Sequence, residues 1–109
     1  MAVLATQSVS RSGLSVSYAA ATSGGDKVSP GDHVFLHVKN AGGSVCNVTI
    51  TTPGTFDGQA ISDVTVAVPA TTGDKLIGPI TAELFRASDG YAAVTYDQVS
   101  SVTVAAVSV

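Results

Sequence analysis

His33-Val34-Phe35-Leu36-His37-Val38-Lys39-Asn40, then Ala41-Gly42-Gly43, then Ser44-Val45-Cys46-Asn47-Val48-Thr49-Ile50-Thr51 is the stretch whose reading decides the fold. Successive side chains of an extended strand point to opposite faces. In the first run Val34, Leu36 and Val38 therefore share a face, with His33, Phe35, His37 and Lys39 opposite. The second run sets Cys46, Val48 and Ile50 against Val45, Asn47, Thr49 and Thr51. Two strands of period two, joined by the Gly-containing turn Asn40 to Gly43, predict a β-hairpin.

Outward from this pair the same alternation recurs. Asp63 to Pro69 carries Val64, Val66 and Val68, and Pro69 ends the strand because it has no ladder donor. Tyr91 to Tyr96 and Val99 to Val107 form a second expected pair, and shorter strands are expected near Gln7 to Arg11, Gly13 to Tyr18 and Lys75 to Ile77. Turn chemistry separates them: Ser23-Gly24-Gly25-Asp26, Pro30-Gly31-Asp32, Asp57-Gly58, Thr72-Gly73-Asp74 and Asp89-Gly90, with Pro53-Gly54 fitting the centre of a type II turn. Thr81 to Ala87 breaks the pattern with helix formers after a Thr cap, and predicts a helical corner that inserts Leu84 and Phe85 into one end of the core. The expectation is an all-β fold: a single-domain antiparallel β-sandwich or barrel of about eight short strands, with one helical corner near 81–87. Residues 1–12 are an N-terminal arm or first strand, and 13–109 the sandwich.

Composition agrees. The chain has 109 residues, 45% hydrophobic and 12% charged, with 17 Val, 15 Ala, 13 Ser and 12 Thr. The charged fraction is half the usual ~25%, and β-branched residues favour strands. Met1 to Ala5 is interrupted at Thr6-Gln7-Ser8 before it can form a secretory apolar core, and no apolar run reaches the length of a membrane helix. Export and membrane insertion are not expected. Cys46 is the only cysteine, so no internal disulfide can form, and it is expected in the core. Arg11, Lys27, Lys39, Lys75 and Arg86 lie singly among eight acidic residues, which leaves no basic footprint for nucleic acid.

Chemistry is sparse. His33 and His37 would share a metal on a helix, but on a strand their spacing separates them by roughly 13 Å. Two His and seven Asp stand beside many Ser, yet no G-x-S-x-G elbow occurs. Asp57 to Asp63 lacks the oxygen ligands and terminal Glu of a calcium loop, and Gly24-Gly25 and Gly42-Gly43 lack the Lys-Ser/Thr of a phosphate loop. Asn47-Val48-Thr49 matches a glycosylation sequon by coincidence, in mid-strand. The expectation is therefore no enzyme, no metal and no cofactor. What remains is surface: Met1 to Ser10 and Val99 to Val109 carry no charge, and unguarded sheet edges invite pairing.

Ala20-Ala21-Thr22-Ser23-Gly24-Gly25-Asp26-Lys27-Val28, Phe35-Leu36-His37-Val38-Lys39-Asn40, Val48-Thr49-Ile50-Thr51-Thr52-Pro53-Gly54, Leu76-Ile77-Gly78-Pro79 and Ala93-Val94-Thr95-Tyr96 together resemble the small head decoration, or minor capsid, proteins of tailed phages that infect actinobacteria. The resemblance implies a structural protein on the outside of the phage head, assembled in the host cytoplasm, that binds the major capsid protein and bridges its subunits. It also implies a homo-oligomer, with a trimer favoured. It transfers no binding residue. Val3, Leu4, Gln7 and Arg11, taken from the N-terminal arm, are the candidate shell or subunit contacts. The alternatives are a tail- or fibre-associated β binding module, weakened by the lack of Trp and the presence of only Tyr18, Tyr91 and Tyr96 as tyrosines, and a head completion or connector protein. The strand reading is tested by Leu36→Ala, expected to cost about 2 to 5 kcal/mol in urea unfolding; a loss below about 0.5 kcal/mol would overturn the assignment of Leu36 to the inner face.

Overall fold

The structure, a computed structural model, describes residues 2–53 and 55–109. It is all-β, with ten strands in two mixed five-stranded sheets packed as a single-domain sandwich. The first sheet contains β1 (Ala2–Leu4), β4 (Asp26–Val28), β6 (Cys46–Ile50), β9 (Val64–Val68) and β11 (Ala92–Tyr96), in the order β1-β4-β11-β6-β9. The second contains β2 (Thr6–Ser8), β3 (Ala19–Ala20), β5 (Val34–Asn40), β10 (Gly73–Ile77) and β12 (Val102–Ser108), in the order β10-β5-β12, with β2 and β3 sharing the far edge of β12. A two-stranded ribbon, β7 (Thr55–Phe56) and β8 (Gln59–Ala60), stands apart. It turns at Asp57 and Gly58, whose φ values of 54° and 80° are those of the tight hairpin turn that Asp-Gly favours. Of the expected Pro53-Gly54 turn, Gly54 lies outside the described residues.

Alternation assigns the faces correctly. Leu36 and Val38 of β5, Cys46, Val48 and Ile50 of β6, Val94 of β11, and Val102, Val104 and Ala106 of β12 meet between the sheets and exclude water. The expected helical corner is one turn, α1 (Ala82–Phe85), closed by Phe85 N–H to the Thr81 carbonyl at 3.1 Å and Arg86 N–H to the Ala82 carbonyl at 3.2 Å. The Thr81 side chain makes no capping bond. Phe85 enters the core; the Leu84 side chain lies outside what is described.

Partner strands differ from expectation. β5 and β6 are not a hairpin: β5 pairs with β10 and β12 in one sheet, and β6 with β11 and β9 in the other. Likewise β11 and β12 lie in different sheets. Alternation specifies which face of a strand is buried, and two strands facing each other across a core show the same pattern as two neighbours in one sheet. Gly13 to Tyr18 forms no strand, while β3 and β4 form on either side of the 21–25 turn. β4 escaped the pattern because it is only Asp26-Lys27-Val28, with a buried carboxylate where an apolar residue would be expected. The sheets are mixed because β1 runs parallel to β4 and β2 parallel to β12.

Asn40 explains how the crossing from β5 to β6 is made. Its side chain is 1% exposed. The amide Nδ2 donates to the Ser44 carbonyl at 2.8 Å and to the Val68 carbonyl at 3.2 Å, and Oδ1 accepts the Gly42 N–H at 3.0 Å. One side chain thus satisfies backbone groups of the 41–45 corner and of the end of β9. Thr71 N–H reaches the Gly42 carbonyl at 2.8 Å and Ala41 N–H the Ser101 carbonyl at 3.0 Å, so three sheet-to-sheet connections meet here. Removing the amide strands these groups away from water, at roughly 1 to 3 kcal/mol for an unsatisfied group. Asn40→Ala is expected to lose about 2 to 4 kcal/mol in chemical unfolding, whereas Ser44→Ala, at an exposed position of the same corner, stays within about 0.5 kcal/mol.

Candidate docking surfaces

The N-terminal segment closes one flank of the sandwich. β1 pairs with β4 in the first sheet, and after Ala5 the chain passes to β2 on β12 in the second. Along this segment Val3 is 52% exposed, whereas Leu4 is 8% exposed and belongs to the core. Gln7 is half-buried and committed: its Nε2 donates to the Ser17 carbonyl at 2.8 Å and its Oε1 accepts the Ser17 N–H at 2.9 Å, which ties the 9–17 loop to β2. Arg11 is exposed in a turn of that loop. Leu4 and Gln7 line a hollow of about 390 Å³ with Ala5, Ser17 and Tyr18; Val3 and Arg11 do not. Of the four sequence candidates, Val3 and Arg11 are therefore the ones that face solvent.

The opposite flank stays open. β9 is the edge of the first sheet and β10 the edge of the second. The tight 69–72 connection draws them together at one end, where a Cβ on Gly73 would collide with the Pro69 carbonyl. At the other end they part over an apolar groove of about 280 Å³ lined by Ile50, Val64, Val66, Leu76, Pro79 and Phe85. Val64 is 37% and Leu76 64% exposed. Edge strands usually carry charge or proline against unwanted pairing. β10 does, in Asp74 and Lys75, but β9 reads Val-Thr-Val-Ala-Val and carries neither.

Several polar side chains are held in bonds within the fold. His37, on the outer face of β5, is 2.6 Å through Nδ1 from the Tyr18 hydroxyl and bonds Asp74 through Nε2. The Lys39 ammonium lies 4.4 Å from the centre of the Tyr18 ring, a cation–π contact. Both imidazole nitrogens have protein partners, and the arrangement fastens Tyr18 to the second sheet. No sequence signal connected these residues, because the link depends on β10 lying beside β5, with Leu76 opposite His37 and Asp74 opposite Lys39. His33 precedes β5 in a turn. Among the described residues no group of three or more His, Cys, Asp or Glu is placed to hold a metal ion.

Three further groups are structural. Burial pushes the Cys46 thiol up, and its Sγ is 3.2 Å from the Gln98 carbonyl. Asp26 is fully buried; its Oδ2 accepts from the Tyr96 hydroxyl at 2.8 Å and the Thr22 N–H at 3.2 Å, while Oδ1 has no partner among the described residues. Burial, and then the Asp26 carboxylate, hold the Tyr96 phenol far above its usual range. Asp97 accepts the Asn47 N–H at 2.8 Å and the Asn47 side-chain amide at 2.7 Å, bonds that keep its carboxyl below the ordinary range. The asparagine of the sequon is thus a clamp between β6 and the end of β11.

No family model matches the chain, and no curated protein or solved structure matches it either.

A carboxylate whose folded pKa is depressed contributes stability above its unfolded value, near 3.9, and loses it as pH falls through the folded value. Asp97→Ala is therefore expected to melt below the parent protein at pH 7, with the gap narrowing steadily between about pH 5 and pH 2. Scanning calorimetry across that range measures it, and a gap independent of pH would remove Asp97 from the acid response.

Proposed function

We propose that the chain is a structural protein of a tailed-phage head, a decoration protein that binds the outside of the shell and bridges major capsid subunits. The observation that carries this reading is the placement of adhesive edges. The two ends of the first sheet, β1 and β9, are both uncharged strands, they lie on opposite flanks, and each exposes a valine, Val3 on one and Val64 on the other. A bridging protein needs contact surfaces that face apart, and weak contacts repeated over a shell sum to firm attachment. The polar inventory supports the same reading. His37, Asn40, Asn47, Gln7 and Asp97 are held in bonds that brace strands and loops, which suits a rigid connector. The major capsid protein is the partner, and the head exterior is the location.

Of the four N-terminal candidates, Val3 and Arg11 are the two whose side chains are exposed and so available to the shell. Deleting the whole segment would remove Leu4 from the core and two strands from the sheets, so point changes are the informative variants. Quantitative mass spectrometry of purified particles is expected to find the chain at hundreds of copies, in fixed ratio to the major capsid protein. Val3→Glu combined with Arg11→Glu is expected to lower that occupancy while leaving the melting temperature of the free protein within a few degrees. A dozen copies would indicate a connector and fewer a tail or fibre component, and either count would overturn the decoration reading.

A further inference from the structure

We infer that β9 is a dimerisation edge, at which two copies of this chain join their first sheets through an antiparallel Val64–Val68 pair. The β9 edge has the features that self-pairing requires. An antiparallel pair related by a two-fold axis sets residues opposite each other symmetrically about its centre. Centred on Val66, it places Val66 against the partner's Val66, Val64 against the partner's Val68, and Thr65 against the partner's Ala67. Asp63 falls opposite the partner's Pro69, so no like charges meet. The edge of the other sheet meets that test in fewer registers. Centred on Lys75, β10 would oppose two ammonium groups, and centred on Asp74 two carboxylates, an arrangement that destabilises a pair.

The groove gives the contact its apolar part. Val64, Val66 and Val68 share the inward face of β9, and their counterparts on the second copy would continue that row beside the opening over Ile50 and Phe85, where Leu76 stands exposed. The product is a continuous ten-stranded sheet with a β1 edge at each end. On the capsid reading, β9 then joins two copies instead of meeting the shell, and the bridging surfaces that face apart are the two β1 edges of the pair; the pairing itself stands without that reading. A two-fold pair also replaces the trimer that the resemblance implied.

Sedimentation velocity on the full chain at 1 to 100 µM, with no particle present, tests this directly. The expected result is a species of two chains. Val66→Lys, which sets two ammonium groups face to face, is expected to weaken the dimer at least tenfold and yield monomer. Thr65→Lys acts at an exposed outer-face position and keeps the test open if the first variant folds poorly; it is also expected to weaken the dimer, and adding Ala67→Glu, which gives each Lys a Glu opposite, is expected to restore it. Val3→Glu, on the far edge, should leave the dimer intact. A monomer across the range, a trimer, a dimer that persists in folded Val66→Lys, or a dimer lost only in Val3→Glu would each overturn the proposal. Loss of shell attachment by a protein that still dimerises would instead count against the capsid reading alone.

Discussion

The Asn40 amide is the interaction on which the sandwich depends. A chain that moves repeatedly from one sheet to the other must take its backbone across the end of the core, where polar groups lose water without gaining ladder partners. Asn40 meets that demand at one point, with two donated bonds and one accepted bond to main-chain groups of different connections. The approach is tight: a side chain on Gly42 would run into the Ser100 carbonyl, and one on Gly73 into that of Pro69. Gln98 reinforces the same end by donating to the Ser44 carbonyl at 3.1 Å. The valines drive the sheets together, and this polar knot satisfies the backbone where the chain crosses between them.

The two flanks result from different uses of the chain. On one, a single short segment supplies an edge strand to each sheet, and the Gln7 to Ser17 pair of bonds holds the following loop against it. On the other, β9 and β10 are joined tightly at one end and diverge at the other, so burial along β9 rises from exposed Val64 to fully buried Val68. Asp26 shows the cost of closing a sheet around a carboxylate. Tyr96 and the Thr22 amide hold one of its oxygens, while the other is buried without a partner among the described residues. A buried ionisable group with incomplete hydrogen bonding is destabilising unless the surrounding structure compensates, and here it secures the turn before β4.

The sequence revealed burial more fully than connectivity. Val34, Leu36 and Val38, like Cys46, Val48 and Ile50, announced the inner face through their period of two, and Pro69 and Asp57-Gly58 marked real boundaries. The Asn40-Ala41-Gly42-Gly43 turn was visible as a turn, but nothing local distinguishes a chain folding back beside itself from one stepping across a 10 Å core. Only the position of Val68, 28 residues later, tells them apart. The candidate contacts divided for a related reason. In a three-residue strand, adjacent Val3 and Leu4 point to opposite faces, so one is exposed and the other buried. The Tyr18, His37 and Asp74 cluster had no sequence signal, since its members meet only through strand pairing at long range.

The parallel pairing of β2 with β12 has a mechanical consequence. Tension applied at the start of β2 and the end of β12 pulls these strands past each other along their length, and loads the hydrogen bonds joining 6–8 to 106–108 together in shear. An antiparallel pair pulled from one end would instead open one bond at a time. With β1 similarly parallel to β4, the same N-terminal stretch engages both sheets in this geometry, so the domain is built to resist stretching along the strands more strongly than its modest core would suggest.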